Sequence, residues 1–203
     1  VGPHTISVPR IKPADDINPS DFKNGIDDET FKKITAIIRI AVPYTGIIIS
    51  TRENEKTRKE LLKVGVTQIS GASRTSVGGY CSKEREKETE QFDVSDTRSL
   101  DEVIKWLMEL GYLPSFCTAC YREHRTGERF MSLCKTGQIQ NCCQPNAILT
   151  LEEFLLDYAS PKTKEVGEKI ILENIEKIEN KKVKEILLKN LDKIKNGLRD
   201  FYF

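Results

Sequence analysis

Three cysteines in the spacing Cys117-x2-Cys120-x22-Cys143 carry the most chemistry in this chain. Iron–sulfur clusters are ordinarily held by four thiolates. Three would hold three corners of a cubane and leave the fourth iron open to a substrate, cofactor or product. Structural zinc is the plainer reading. It takes four tetrahedral Cys or His ligands, and one of Cys134, Cys142 or His124 could complete the set. On spacing alone the two metals stand level. Cys81, Cys134 and Cys142 otherwise read as small buried thiols.

Two further groups have types and positions that could matter. His4 lies beside a short apolar run that ends at Pro9. Residues that act in barrel folds gather at strand ends, which makes His4 a metal-ligand or acid–base candidate. Arg52 follows a second apolar run, and Ser70-Gly-Ala-Ser73-Arg74 follows a third. An arginine at a strand end can hold a carboxylate in a bidentate pair. Arg52, Ser70, Ser73 and Arg74 are therefore candidates for a carboxylate site. No catalytic residue is assigned.

The elements that must position these residues fall into two textures. Over residues 1–82, short apolar runs alternate with helical stretches. Asp27 or Asp28 can cap a helix with Phe31, Ile34, Ile38 and Ala41 at helical spacing, ended by Pro43. Runs at 46–50 and 66–70 read as parallel strands, separated by a charged helix over 53–64 that carries Leu61 and Leu62. Strand, helix, strand, helix, strand indicates βα units on a parallel sheet. Three strands are too few to close a barrel, so this part reads as the last βα units of one whose beginning lies elsewhere. The opening at Val1 likewise reads as the middle of a longer protein. Residues 83–98, including the run Lys83-Glu-Arg-Glu-Lys-Glu88, read as a polar connector.

Residues 99–203 turn helical. Ser99 can cap a helix that Gly111 stops. A short helix is expected over 151–158, with the cysteines in a loop before it. Helices over 162–178 (Val166, Ile170, Ile175, Ile178) and 181–198 (Val183, Leu187, Leu191, Ile194) are expected to pair as an αα-hairpin. The chain carries 32 basic and 31 acidic residues for a net charge of +1. That balance gives no basic field for nucleic acid or membrane, and no apolar run approaches the roughly 20 residues of a membrane span. Six cysteines without a secretory signal favour metal over disulfides.

Four segments together resemble a known family. They are Val1-Gly-Pro-His-Thr-Ile-Ser-Val-Pro-Arg10, Ile49-Ser-Thr-Arg-Glu53, Ile69-Ser-Gly-Ala-Ser-Arg-Thr-Ser-Val-Gly-Gly-Tyr80 and Cys117-Thr-Ala-Cys120-Tyr-Arg. They are similar to the HydG-type maturases of [FeFe]-hydrogenase, which are radical S-adenosylmethionine tyrosine lyases. The resemblance implies an α/β fold: the C-terminal part of a radical-SAM TIM-type barrel, then a mainly helical domain binding an auxiliary [4Fe-4S] cluster. In that family tyrosine is cleaved to p-cresol and dehydroglycine, and dehydroglycine yields carbon monoxide and cyanide for an extra iron, bridged to the auxiliary cluster by free cysteine. Cys117, Cys120 and Cys143 would ligate that cluster and His4 the extra iron. Arg52, Ser70, Ser73 and Arg74 would contact tyrosine or S-adenosylmethionine. Implied partners are tyrosine, free cysteine and other hydrogenase maturases, in the cytoplasm. The Cys-x3-Cys-x2-Cys motif for the family's radical-generating cluster is absent from this sequence. The thiamine-pathway tyrosine lyase, 2-iminoacetate synthase, shares the barrel segments but not the three-cysteine extension. A zinc-stabilised helical interaction module is the remaining alternative.

Overall fold

The computed structural model describes residues 3–13, 17–81 and 93–203, so the Lys83–Glu88 charge run and Val1-Gly2 lie outside the described residues. The chain divides into two compact units, residues 2–99 and 100–203.

The first unit is a three-stranded parallel sheet with its crossover helices. β1 (Thr5–Ser7), β2 (Gly46–Ile49) and β3 (Gln68–Ile69) lie in the order β1-β2-β3, with Ile6 opposite Ile47 and Ile49 opposite Ile69. α1 (Asp28–Ala41) and α2 (Glu55–Lys63) connect them. Asp27 caps α1 through Thr30 N–H at 2.7 Å, and Asn54 caps α2 through Thr57 N–H at 2.9 Å, each satisfying a helix donor that the backbone leaves without a partner. Phe31, Ile47, Ile49, Leu61 and Val66 form the core. The apolar run of β2 is buried at Ile47 and Ile49 and half-buried at Gly46 and Ile48, so this strand is fully packed on one face only.

Arg39 ties this unit's turns together. Its guanidinium donates to the carbonyls of Gly65 (2.8 and 3.0 Å), Pro43 (2.9 Å) and Thr45 (2.8 Å). Gly65 has φ +108°, and a Cβ there would stand 2.6 Å from Arg39 Cγ. The position needs glycine both for its backbone conformation and for the arginine's approach.

The second unit holds α3 (Leu100–Glu109), α4 (Ala119–Arg122), α5 (Gly127–Lys135), α6 (Gln140–Asp157), α7 (Pro161–Glu176) and α8 (Lys181–Lys195). Two expectations are corrected here. The helix placed at 151–158 begins at Gln140, so Cys142 and Cys143 sit in its first turn, where their N–H groups donate to Ile139 O at 3.0 and 2.8 Å. Pro145 lies inside this helix; proline removes a backbone donor, which is why the pattern suggests a later start. Secondly, α7 and α8 both pack chiefly on α6 rather than on each other. α6 therefore buries residues all round its middle, Pro145 to Leu149 in succession, and shows little of the one-sided stripe that marks a surface helix. Cys81 also departs from its expected burial: it is exposed, and Cys134 and Cys142 are half-buried.

Close packing of α6 on α7 makes a test. A Cβ at Gly167 would stand 2.4 and 2.6 Å from the two δ-carbons of Leu155, itself 3% exposed. Gly167→Ala gains helix propensity of about 1 kcal/mol but overpacks a core where such insertions cost about 1–3 kcal/mol. The expected net result is a loss of up to about 2 kcal/mol, read by denaturant unfolding; a gain of stability would show that Leu155 yields to the added methyl.

Candidate metal centre

The cysteines gather where α3 gives way to the shorter helices. Cys117 lies in the coil before α4, Cys120 within α4, Cys134 in α5, and Cys142 and Cys143 at the start of α6. Short tethers fix the coil: Cys117 N–H donates to Ser115 Oγ at 3.2 Å, and Phe116 N–H to Thr150 Oγ1 on α6 at 3.2 Å. Ala119 N–H donates to Cys117 Sγ at 3.4 Å. Past α4 the chain turns back through His124, in the left-handed region at φ +53°, and Arg125 N–H donates to Cys120 O at 2.7 Å.

The five thiols are close enough to act on one another. Burial pushes the Cys143 thiol up to about 11, with further upward pressure from Cys120, Cys117, Cys142 and Cys134. Cys143 is exposed as a residue; the upward shift belongs to its sulfur. Burial raises Cys134 too, helped by Cys120. A thiol group that resists ionisation alone is one whose ionisation a bound cation favours, because thiolate ligation releases the proton.

Among the described residues no three His, Cys, Asp or Glu side chains converge so as to hold one metal ion. Structural zinc requires four donors at about 2.0–2.3 Å from one centre. A cubane takes its cysteines on separate irons and has no need of that convergence. Cys117, Cys120 and Cys143 supply thiols, the donor type that iron–sulfur clusters take. Cys117 also lines a cavity of about 680 Å³ whose wall includes Phe116, Phe154 and Tyr158, with Phe116 and Phe154 stacked at 5.1 Å.

The other predicted site residues lie in the first unit, at two ends of its sheet. Because the strands are parallel and Ile49 pairs with Ile69, Ser50 and Ser70 emerge side by side at the C-terminal edge, followed by Arg52 and by Ser73 and Arg74. All except Ser50 are half-buried, and Arg74 N–H donates to Tyr80 Oη at 3.3 Å. His4 does not join them. It precedes β1, its carbonyl accepts Gly46 N–H at 3.0 Å, and Nδ1 lies 3.3 Å from Thr5 Oγ1. That is the N-terminal edge, which corrects the strand-end argument that singled it out.

Two charged networks brace the C-terminal edge, and sequence reasoning missed both. Arg10 donates to Glu53 through Nε at 2.8 Å and Nη2 at 2.6 Å, to Asp28, and to Ile26 O, while stacking on Phe31. Arg58, with no exposed surface, pairs with Asp96 and donates to Ser70 O, and Asp96 N–H donates to Thr51 O at 3.0 Å. The available signal was spacing: Arg58 stands three residues before Leu61, on the apolar face of α2.

A family model describes this architecture. The Biotin and Thiamin Synthesis associated domain matches residues 7–113, and the chain belongs to that family. Within it, the chain is similar over its whole length to a crystal structure of HydG, a maturase of the [FeFe]-hydrogenase, at 55% identity and a TM-score of 0.94. It is also similar over 94% of its length to HydG from Carboxydothermus hydrogenoformans, at 39% identity and a TM-score of 0.68. The resemblance read from the sequence is borne out. A 2-iminoacetate synthase of Escherichia coli (strain K12) is 27% identical over 112 residues, 55% of this chain. The chain spans 44% and 40% of the two HydG chains and 28% of the synthase. No helix among the described residues is long and apolar enough to cross a membrane.

Proposed function

We propose that this chain is part of a radical S-adenosylmethionine tyrosine lyase of [FeFe]-hydrogenase maturation, comprising the last βα units of the barrel and the auxiliary-cluster domain. The observation that carries the reading is the thiol group itself. Cys117, Cys120 and Cys143 all lie in the helical unit, and Cys117 and Cys120 both act on the Cys143 thiol, in a chain whose residues 7–113 match the biotin and thiamin synthesis associated family. The parent enzyme would cleave tyrosine to p-cresol and dehydroglycine and convert the latter to carbon monoxide and cyanide.

Each residue set has a task in this reading. Cys117, Cys120 and Cys143 hold an auxiliary [4Fe-4S] cluster, which when bound supplies an iron corner free of protein ligands, where a further iron can attach through free cysteine. His4 offers that further iron a neutral imidazole, a ligand suited to ferrous iron. Arg52, Ser70, Ser73 and Arg74 hold the carboxylate of tyrosine or S-adenosylmethionine. The two sheet edges support this division: the carboxylate set stands at the C-terminal edge and His4 at the N-terminal edge, so one substrate pose need not satisfy both. A cytoplasmic setting suits six free thiols, and other hydrogenase maturases would receive the product.

Metal analysis of the anaerobically reconstituted protein tests the proposal. The expected content for the auxiliary site is roughly four irons plus one per chain, with the visible absorption of a cubane. One zinc per chain and no visible absorption would overturn it in favour of a zinc-stabilised interaction module. The 2-iminoacetate synthase alternative offers no role for the three cysteines.

A further inference from the structure

Arg125 is the least explained buried charge in the helical unit. It is 8% exposed and lies five residues beyond Cys120, to whose carbonyl its own N–H donates at 2.7 Å. The guanidinium is anchored on one side: Nη2 donates to Phe203 O at 2.6 Å. Phe203 is itself held from α6, where Asn146 Oδ1 accepts its N–H at 2.8 Å and Asn146 Nδ2 donates to its carbonyl at 3.3 Å. Residues 199–203 thus form a strap over the cysteine segment, fastened again where Arg122 pairs with Asp200 at 2.9 Å and stacks on Tyr202 at 4.5 Å. On the other side, Arg125 Nε is buried with no hydrogen-bond partner among the described residues. Cys120 and Cys142 lie beside the guanidinium and hold it charged against burial.

A guanidinium offers five N–H donors in a fixed plane, and leaving a buried donor unmet costs about 1–3 kcal/mol, more for a charged group. The strap holds one corner of the guanidinium through Phe203 O, while its Nε–H stays buried and unmet. The groups that act on the guanidinium are the Cys120 side chain, nearest in effect, then Cys142 and the Glu123 carboxylate. We propose that Arg125 is a positioning residue for the Cys117/Cys120/Cys143 cluster, its Nε–H donating to a sulfur of that centre, either the Cys120 thiolate or a cluster sulfide. The inference rests on the iron–sulfur reading of the site. Donors to cluster sulfurs and nearby positive charge favour the reduced, more negative form, so they raise the reduction potential.

The test uses the full-length protein, reconstituted anaerobically, with the reduced-cluster EPR signal that Cys117→Ser and Cys120→Ser remove taken as the auxiliary centre. In Arg125→Met the iron content is expected to stay at the wild-type level. At a fixed potential its reduced-to-oxidised ratio is expected to fall at least about tenfold, a 59 mV downward shift for one electron. Arg125→Lys, which keeps the charge but not the planar donor, is expected to recover only part of that shift. Arg125→Met with wild-type iron and an unmoved midpoint would overturn the role of Arg125 and leave the cluster assignment standing. A wild-type protein that loads zinc and shows no such signal would overturn both. Should Arg125→Met fail to load, wild-type protein labelled with 15N at arginine Nε decides the matter. Pulsed EPR is expected to show a nitrogen coupling that Arg125→Lys lacks, and its absence would overturn the proposal.

Discussion

Replacing Cys117 and Cys120 together by serine is expected to abolish carbon monoxide output in the full-length protein while p-cresol formation stays near its wild-type rate. The expectation follows from where the residues sit. Serine retains size but loses the soft thiolate that iron–sulfur chemistry requires. Both positions lie in the helical unit, outside the first unit that carries Arg52, Ser70, Ser73 and Arg74. Tyrosine cleavage, if it depends on that set, has no use for the two thiols. The measurement is parallel quantification of p-cresol and of carbon monoxide trapped on a haem protein, with iron counted on the same sample; iron is expected to fall by roughly the four of one cubane plus the one attached to it. Loss of both products in step, with the fold intact by circular dichroism, would sink the two-site reading. Unchanged carbon monoxide would sink the assignment of these cysteines.

What could be read from the residue string depended on how local the governing interaction was. The βα order of the first unit was legible because apolar runs, caps and Pro43 each act within a few residues, and the strands pair in that order. The cysteines were legible as a set by type and spacing, since few other roles call for thiols so placed. The start of α6 was not. Pro145 argues against a helix there, and its surroundings on several sides erase the stripe that would argue for one. α4 and α5, of 4 and 9 residues, bury only Ala119 between them, too little for a periodic signal. The pairing of α7 and α8 with α6 is a matter of tertiary packing, whereas the expected hairpin assumed that sequence neighbours pack first. His4 was singled out partly for the wrong edge of the sheet, because an apolar run does not say which of its ends faces a site. Arg58 and Asp96 stand 38 positions apart, and no local pattern joins them.

That buried pair yields the largest expected change in stability. Asp96→Asn is expected to destabilise the first unit by about 3–5 kcal/mol at pH 7, the usual cost of stripping one partner from a buried ion pair. Arg58 has no exposed surface and the Asp96 side chain only 2%. Neutralising the carboxylate leaves the guanidinium charged in the core, since arginine does not deprotonate in proteins. Burial pushes the Asp96 carboxyl up, but Arg98, which donates to both its oxygens at 2.6 and 2.9 Å, and Arg58 outweigh it and hold it below the ordinary aspartate value. A carboxylate depressed in the folded state stabilises above its unfolded pKa and loses that contribution as pH falls through the folded value. The gap between wild type and Asp96→Asn is therefore expected to be constant from pH 7 down to about 4 and to shrink below it. Arg58→Met is expected to be harmful alone. The double variant should lose clearly less than the sum of the two, since the second change removes the charge that the first had stranded. Denaturant unfolding of all four proteins across pH measures this. A loss within about 0.5 kcal/mol for Asp96→Asn, the range of an ordinary surface change, would refute the bracing role. The stakes reach past stability, because the Arg58 side chain holds the carbonyl of Ser70, while the Asp96 backbone N–H donates to that of Thr51. The candidate carboxylate-binding edge is built on loops that this pair, with the Arg10–Glu53 network, braces.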